Sequence, residues 1–211
     1  MENPAHVNSE YLVILSITYS LRSSLKNKDL YDYVIIDEAS QVDIVTGTLA
    51  LSCAKNAAIV GDLKQLPNVV TEETAKFTKN IFDTYSLNDA YEYSTNSLLS
   101  SAIKVFEQVP RTLLREHYRC HPAIIGFCNQ KFYNNELIVL TNDNKEKRPL
   151  KVYKTVEGNH ASGRVNQRQV DVILNEIIPN ENIDLEFDSV GIIAPYNKQV
   201  NEVQKQTESA R

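Results

Sequence analysis

Tyr-Val-Ile-Ile-Asp-Glu-Ala-Ser-Gln, residues 33 to 41, is the stretch that decides the fold of this chain. Its first four residues are apolar and mostly β-branched, which predicts a strand buried on both faces of a parallel sheet. The run ends abruptly at two carboxylates, Asp37 and Glu38. Ligands of open α/β sheets bind at the carboxyl ends of the strands, so both acids are expected at a ligand site.

A second apolar run, residues 57–60, repeats this design and is followed by Gly61-Asp62 and then by Gln65. Between the two runs, apolar residues recur at spacings of three and four, which predicts a helix that packs on the sheet. This strand–helix–strand order implies parallel strands joined by a right-handed crossover. The residues expected to face inward from the helix are Val42, Val45, Leu49 and Cys53.

Two adjacent acids at a strand end suit the chemistry of magnesium and phosphate. One carboxylate can hold a hydrated Mg²⁺ ion, and the other can orient or deprotonate an attacking water. The alternative is that Asp37-Glu38 only ends the strand and caps the next helix. The second strand end, with its own acid and amide, favours the first interpretation.

The composition is that of an ordinary globular protein, with 211 residues of which 42% are hydrophobic and 23% charged. Its net charge of −5 is not typical of a protein whose whole surface binds nucleic acid, although a local channel is compatible with it. No apolar run approaches membrane-spanning length, so no membrane association is expected. Three cysteines without a disulfide spacing predict a reducing, cytoplasmic location.

Val34 to Gln41 resembles the Walker B segment, motif II, of superfamily 1 helicases, and Gly61 to Pro67 resembles their motif III. The sequence Asp-Glu-Ala-Ser-Gln is typical of the branch that includes the RNA-surveillance helicases and their bacterial relatives. The resemblance implies an α/β fold in which helices flank RecA-like parallel sheets. It also implies that the ligand is ATP with Mg²⁺.

The same resemblance assigns roles to five residues of these motifs. Asp37 would coordinate Mg²⁺, and Glu38 would act on the attacking water. Gln65 would sense the γ-phosphate and link it to the strand-binding side. Gln41 and Asp62 would complete the part of the nucleotide site that these motifs contribute.

Residues 113–122 resemble the family block in which a Tyr-Arg pair is followed by His-Pro. The resemblance assigns Tyr118 to stacking on the adenine and Arg119 to the γ-phosphate, reached from a second domain. A planar, permanently charged guanidinium suits that position, because it binds phosphate oxygens where negative charge develops. Taken alone, without the surrounding block, the pair is better explained as a surface arginine beside a half-buried tyrosine.

Four potential zinc ligands, His117, Cys120, His121 and Cys128, also lie in this region. Their spacing lacks a C-x₂-C pair, and Cys120 and His121 are adjacent. Cys128 falls on the apolar face of a helix predicted to begin at Pro122. Zinc is therefore not expected.

Candidate contacts to nucleic acid lie near both ends of the chain. Thr18 and Ser20 resemble a Ser/Thr segment that touches the nucleic-acid backbone in the family, although a plain turn with a helix cap fits them equally. Residues 189–199 resemble the family's apolar strand, Pro-Tyr and Gln block. Pro195 and Tyr196 of that block would stack on or brace a strand of DNA or RNA.

Hydrophobic periodicity and turn residues predict the remaining elements. Strands are expected over residues 11–16, 149–156 and 189–196. Helices are expected near residues 21–25, over 72–85 and 98–106, from Pro122, from Asn166 to Pro179, and at the end of the chain with Val200 and Val203 inward.

A P-loop, G-x-x-x-x-G-K-[ST], is required for nucleotide hydrolysis in this family. Of the six glycines only Gly158 and Gly163 have its spacing, but Arg164-Val165 follows them and they come after motif II. The chain therefore resembles the middle of a helicase core. Residues 1–108 would form the later part of a first RecA-like domain and residues 109–211 the early part of a second.

The parent protein is expected to be an ATP-dependent helicase that moves along single-stranded DNA or RNA. The simplest interpretation of the chain is a fragment that needs the remaining core, namely the P-loop segment and the C-terminal motifs. One alternative is a truncated, non-enzymatic module that binds nucleic acid or protein. A magnesium-dependent nuclease using Asp32, Asp37, Glu38 and Asp62 is a third class, but it gives Gln65 and Arg119 no part.

Overall fold

The computed structural model describes residues 11–25, 29–143, 148–158 and 161–209. Contacts divide the chain into two units. The first unit comprises Met1–Glu116 and Asn129–Ile138, and the second comprises His117–Cys128 and Val139–Arg211. The predicted domain boundary between residues 108 and 109 stays a prediction.

A pair of parallel strands lies at the centre of the first unit. Strand β1 (Tyr31–Ile36) is followed by helix α1 (Ile44–Leu51) and strand β2 (Ala54–Ile59), in the predicted order. The strands pair in parallel, with Ile36 opposite Ile59. The buried core around them consists of Leu21, Val34, Ile36, Ala39, Ala50, Cys53, Leu98 and Leu99.

The prediction that β1 is buried on both faces is wrong for the described part of the chain. Val34 and Ile36 are buried, but Tyr33 and Ile35 are 70% and 72% exposed. Successive strand residues point to opposite faces, so the core covers one face only. An uninterrupted apolar run shows that both faces suit burial, but it does not show which neighbours cover them.

Helix α1 forms where it was predicted. Of the four residues expected to face inward, Cys53 is buried and Val42 packs against the core, as predicted. Val45 and Leu49 are exposed, while Gly47 and Ala50 are buried. A Cβ atom at Gly47 would lie 2.7 Å from Cδ1 of Leu98, so the helix approaches the core through its smallest side chain. Asp43 caps the helix by accepting hydrogen bonds from the amides of Val45 and Thr46.

Two further helices of the first unit agree with their predicted positions. Helix α2 spans Glu72–Thr84, and helix α3 spans Leu98–Val105. Ser97 and Ser100 form a capping box at the start of α3, whose first two residues enter the core. A single 3₁₀ turn, Asp89–Tyr91, interrupts the predicted loop between the helices.

Two short strands follow, β3 (Glu116–His117) and β4 (Ile138–Val139), with helix α4 (Pro122–Phe132) between them in the chain. Helix α4 begins at Pro122, as predicted. Its residues up to Cys128 belong to the second unit, and those from Asn129 belong to the first.

The second unit contains a hairpin of strands β5 (Ala161–Ser162) and β6 (Val165–Asn166). Helix α5 (Gln167–Val172) follows, continues through a π-helical turn (Ile173–Ile177) and ends in the short helix α6 (Ile178–Asn180). Asn166 caps α5, as predicted, by accepting a hydrogen bond from the amide of Gln169. In the last helix, α7 (Asn197–Ser209), Val203 is buried as predicted and Val200 is exposed.

Three predicted strands are wrong. Residues 11–16, 149–156 and 189–196 form no strand in the structure, and many of their apolar side chains are exposed. A strand is stable only when a neighbour pairs with its backbone N–H and C=O groups. Apolar patterning indicates the faces of such a segment but does not supply that neighbour.

No helix in the described ranges is long and apolar enough to cross a membrane.

Candidate functional site

The two strand ends predicted to carry the site lie side by side in the first unit. The Val60 amide donates to the Ile36 carbonyl at 2.8 Å, and the Ala39 amide donates to the Val60 carbonyl at 2.9 Å. A Cβ atom at Gly61 would lie 3.0 Å from the Ala39 nitrogen. The loop that carries Asp37 and Glu38 therefore passes against the loop that begins at Gly61, and glycine permits this close approach.

Glu38 has a backbone conformation that L-residues rarely adopt. Its φ is +50°, in the left-handed region. Oδ1 of Asp37 accepts the Glu38 amide at 2.8 Å, and the Glu38 carbonyl accepts the Gln41 amide at 2.8 Å. Such strain persists where surrounding contacts impose it, and it is concentrated at functional sites.

Both acids are exposed at this edge of the sheet, where a ligand could reach them. Nε2 of Gln41 lies 3.4 Å from Oε2 of Glu38, so Gln41 can steady that carboxylate. The second oxygen of Asp37 accepts no hydrogen bond from the residues that the structure describes. One oxygen of Asp37 thus fixes the turn, and the other remains for a cation or its waters.

Asp62 organises the neighbouring loop. Its Oδ1 accepts the Lys64 amide at 2.8 Å, and its Oδ2 accepts Nε2 of Gln65 at 3.3 Å. The phenol of Tyr133 also donates to Oδ2 of Asp62. The carboxylate therefore holds Gln65 directly, and Tyr133 holds the carboxylate.

Tyr133 is a site residue that the sequence reasoning missed. It is half-buried, and it follows the last residue of α4. Its position 71 residues after Asp62 carries no spacing signal. The resemblance to the helicase family assigned this tyrosine no role.

Asp32, which the nuclease interpretation requires, lies at the other end of β1. It pairs with Nζ of Lys55 at 2.8 Å, and this contact lowers the pKa of the Asp32 carboxyl. Asp37 follows the opposite end of the strand, about 16 Å away at the usual rise per residue. Asp32 and Asp37 therefore cannot share one metal pair.

The turn that carries Tyr118 and Arg119 lies in the second unit, and both side chains are exposed. Nε2 of His117 accepts the Cys120 amide at 2.8 Å. The hydroxyl of Thr141 donates to the Cys120 carbonyl at 2.7 Å. The backbone after Arg119 is therefore fixed from both sides, while the guanidinium itself forms no ion pair with the described residues.

His121 caps helix α4. Its Nδ1 accepts the Ala123 amide at 3.1 Å, which leaves the proton on Nε2 to be donated to Asp143 at 3.2 Å. Both histidines of this segment are thus engaged in local hydrogen bonds. Within the described ranges, no group of three or more His, Cys, Asp or Glu side chains is placed to hold a metal ion.

The remaining candidates are divided between the two units. Thr18 and Ser20 are half-buried in the first unit, where Ser20 Oγ lies 3.0 Å from Ser16 Oγ. The side chain of Ser20 does not cap the 3₁₀ helix that follows it, Leu21–Ser24. Pro195 and Tyr196 immediately precede α7 in the second unit, and the Arg164 guanidinium lies 5.6 Å from the Tyr196 ring centre.

The structure thus brings Asp37, Glu38, Gln41, Asp62 and Gln65 together on adjacent loops of one unit. Tyr118, Arg119, Pro195 and Tyr196 belong to the other unit. The prediction that Arg119 faces the two acids stays a prediction.

Comparisons with known proteins agree with the resemblance seen in the sequence. One family model described as an AAA domain matches residues 94–211, and a second of the same description matches residues 5–73. An uncharacterised ATP-dependent helicase of Mycoplasma genitalium, MG140, is 31% identical over 166 residues, which are 76% of this chain and 14% of that protein.

Two eukaryotic relatives are also helicases by name. The mouse 5′-3′ DNA helicase ZGRF1 is 31% identical over 111 residues, which cover 51% of this chain and 5% of that protein. The probable helicase senataxin of Homo sapiens is 26% identical over 192 residues, 83% of this chain and 7% of its own length. The chain thus spans less than one sixth of each of these three relatives.

The first match covers more than half of the chain, and the two matches together contain every candidate residue. The chain therefore belongs to the AAA-domain family as a superfamily 1 helicase-like segment, with the RecA-like α/β fold that its sequence predicted.

Proposed function

We propose that this chain supplies part of the ATP-hydrolysing core of a helicase that moves along single-stranded DNA or RNA. The observation that carries this proposal is the turn at the end of β1. There Asp37 holds Glu38 in a left-handed conformation against the loop that begins at Gly61. An exposed, strained pair of acids beside a second polar loop fits phosphate chemistry better than it fits a simple strand end.

Asp37 would hold Mg²⁺ through its second carboxylate oxygen. The donor set fits this ion, because Mg²⁺ is commonly bound by one or two carboxylates, with waters and substrate phosphates as its other ligands. The absence of a larger ligand cluster among the described residues agrees with that mode of binding. When bound, the ion would neutralise charge on the phosphates.

Glu38 would accept a proton from the attacking water or orient it, as a carboxylate at this position can do. Its backbone is fixed by hydrogen bonds on both sides, and Gln41 lies against its carboxylate. Gln65 would contact the γ-phosphate. Its side chain donates a hydrogen bond to Asp62. Loss of the γ-phosphate on hydrolysis would therefore alter the loop that contains both residues.

Tyr118 and Arg119 would bind the nucleotide, as the resemblance implies. Arg119 would place a permanent positive charge beside the γ-phosphate, and Tyr118 would stack on the base. Hydrogen bonds to Cys120 fix the turn that carries them. Closure of one domain on the other would then couple the state of the nucleotide to movement.

Thr18, Ser20, Pro195 and Tyr196 would contact the nucleic-acid strand. Among the three relatives described above, the name of the mouse protein gives a substrate and a direction, 5′-3′ on DNA. By analogy with it, we propose movement in the 5′ to 3′ direction. The three cysteines without a disulfide spacing support the proposal of a reducing, cytoplasmic location. The choice between DNA and RNA is left to the experiment.

The test measures ATP hydrolysis by the whole protein that contains this chain, with and without single-stranded oligonucleotides of DNA and RNA. Glu38→Gln should lower kcat at least about 100-fold, in the range expected for a positioned acid–base group. Glu107→Gln is the matched control, because it removes the same charge from an exposed loop of the same unit. Equal rates for wild type and Glu38→Gln would refute the proposal.

The 211-residue chain by itself is expected not to hydrolyse ATP, because none of its glycines belongs to a P-loop sequence. Magnesium-dependent turnover by this chain that disappears in Glu38→Gln would contradict that expectation. Oligonucleotide binding by the whole protein without any ATP turnover would instead favour the non-enzymatic binding module.

A further inference from the structure

An arginine stands at the tip of a tight hairpin in the second unit. Gly163 and Arg164 connect β5 to β6, and their φ angles are +56° and +70°. A two-residue connection with both residues left-handed is the favoured hairpin turn, and its usual residues are Gly, Asn and Asp. Arginine at this position carries backbone strain, because its Cβ atom lies too close to the following carbonyl oxygen in the left-handed conformation.

The hairpin is fixed to the start of α7 by one buried side chain. Gln199 is only 6% exposed. Its Oε1 accepts the Asn166 amide at 2.6 Å, and its Nε2 donates to the Asn166 carbonyl at 3.3 Å. Asn166 in turn caps α5. The hairpin tip and the residues before α7 are therefore positioned by one hydrogen-bonded network.

This network presents a cation beside an aromatic ring. The Arg164 guanidinium lies 5.6 Å from the centre of the Tyr196 ring, and both residues are exposed. Arg164 forms no ion pair with the described residues, whereas Arg168 on the following helix pairs with Glu176 at 3.0 Å. The net charge of the chain is −5, yet this strained arginine beside a tyrosine has no acidic partner among the described residues. An anionic ligand would supply one.

We propose that Arg164 and Tyr196 together bind one nucleotide unit of a single strand. Tyr196 stacks on a base, and Arg164 binds the adjacent phosphodiester. Aromatic stacking combined with a cation on the backbone is the chemistry by which proteins bind single strands without regard to sequence. The planar guanidinium suits both the ring and the phosphate. This inference rests on the proposed function and adds Arg164 to it.

The test uses the 211-residue chain with fluorescein-labelled dT₂₀ and rU₂₀, and it measures binding by fluorescence anisotropy at several salt concentrations. Arg164→Asn removes the charge but keeps a residue that tolerates the left-handed turn. It should weaken binding about five- to tenfold and reduce the slope of log K against log salt by about 0.7, the value of one phosphate contact on a single strand.

Two further variants separate charge from stacking. Arg164→Lys should keep the wild-type salt slope, because the phosphate contact survives. Tyr196→Leu should weaken binding several-fold with the slope unchanged, because stacking carries no counterion release. Lys154→Gln is the control, since it removes an exposed cation of the same unit and should leave the affinity nearly unchanged.

Thermal unfolding of each variant shows whether the hairpin survives, and Arg164→Asn should unfold no earlier than wild type. If wild type binds and Arg164→Asn binds equally well with the same salt slope, Arg164 has no role and the proposed function is unaffected. If wild type binds neither oligonucleotide at any salt concentration, both this inference and the nucleic-acid role of the chain are wrong. A loss confined to dT₂₀ or to rU₂₀ would support the inference and identify the strand.

Discussion

The phenol of Tyr133 donates a hydrogen bond to Oδ2 of Asp62, across 71 positions of the sequence. The same oxygen accepts Nε2 of Gln65, and the other carboxylate oxygen accepts the Lys64 amide. A residue just beyond α4 thus helps to determine where the proposed γ-phosphate sensor lies. This relationship gives Tyr133 a positioning role rather than a direct contact with the nucleotide.

Tyr133→Phe should therefore lower kcat for ATP hydrolysis by the whole protein while leaving KM for ATP nearly unchanged. A hydrogen bond to a charged group contributes about 1.5–3 kcal/mol. The loss of rate should therefore be about 10- to 150-fold if Gln65 acts mainly in the transition state. Steady-state kinetics over a range of ATP concentrations separate kcat from KM.

Tyr85→Phe provides the comparison for that experiment. Tyr85 lies in the same unit at the end of α2 and is exposed, and no hydrogen bond of its hydroxyl is seen in the described residues. Its substitution should leave both constants unchanged. A tenfold effect of Tyr85→Phe, or none of Tyr133→Phe, would remove the positioning role.

Because Glu38 has a left-handed backbone, a substitution that stabilises the fold at this position should at the same time remove activity. Glu38→Gly should be more stable than Glu38→Ala by about 0.5–1 kcal/mol, because glycine adopts a positive φ without a Cβ clash. The larger backbone entropy that glycine loses on folding offsets part of this gain. Urea unfolding of the 211-residue chain measures the difference. Both variants should abolish ATP turnover by the whole protein, and a less stable Glu38→Gly would contradict the backbone assignment.

Two helical glycines should respond in opposite directions to the same substitution. Gly47→Ala places a Cβ atom 2.7 Å from the buried Leu98 side chain, and overpacking should destabilise the chain by about 1–3 kcal/mol. Nothing lies within 4 Å of a Cβ atom at Gly126 in α4. Gly126→Ala should therefore stabilise the chain by about 0.5–1 kcal/mol, because alanine favours a helix more than glycine does. Denaturant unfolding tests both signs, and equal effects would show that packing at Gly47 is looser than described.

Glu181 predicts a pH-dependent contribution to the stability of the second unit. Its carboxylate accepts hydrogen bonds from Lys151 and Tyr153, and these partners lower its pKa below the ordinary value of 4.5. The pKa of this carboxyl is lower in the folded chain than in the unfolded chain. The stabilisation is therefore complete at pH values above the pKa of the unfolded chain, and it is lost as the pH falls through the pKa of the folded chain.

Glu181→Gln should therefore lower Tm at pH 7, and the difference from wild type should shrink as the pH is reduced below about 4.5. Melting curves between pH 3 and pH 7 measure this difference. Tyr153→Phe retains the ion pair with Lys151 and should keep part of the pH dependence. A difference that is constant over this range would show that the carboxylate is not held by these partners.

The sequence predicted helices better than strands, for a physical reason. A helix satisfies its backbone within one segment, so α2, α3, α4 and α7 follow from periodicity and capping residues. A strand requires a partner, and residues 11–16, 149–156 and 189–196 find none in the described structure. Val42 and Cys53 pack inward beside α1 as predicted, but the contact of Gly47 with Leu98 was missed because glycine carries no hydrophobic signal.

The candidate site was predictable as far as it depends on local order. Asp37, Glu38 and Gly61 follow consecutive strands, and the paired ends of parallel strands must meet. Tyr133 and Gln199 were not predictable as positioning residues, because their partners lie 71 and 33 positions away. The strained turns at Glu38 and Arg164 also left no trace in the pattern, since neither residue type favours a positive φ.

The turn at Glu38 has a consequence for the history of this protein and its copies. The residues that suit the backbone there are glycine and asparagine, whereas the proposed chemistry needs a carboxylate. A duplicate that no longer hydrolysed ATP would gain stability by drifting to either of them, with nothing to oppose the change. Under the proposed function, a glutamate retained at this position in such a duplicate would indicate selection for ATP turnover, and its replacement by glycine or asparagine would indicate the loss of that activity.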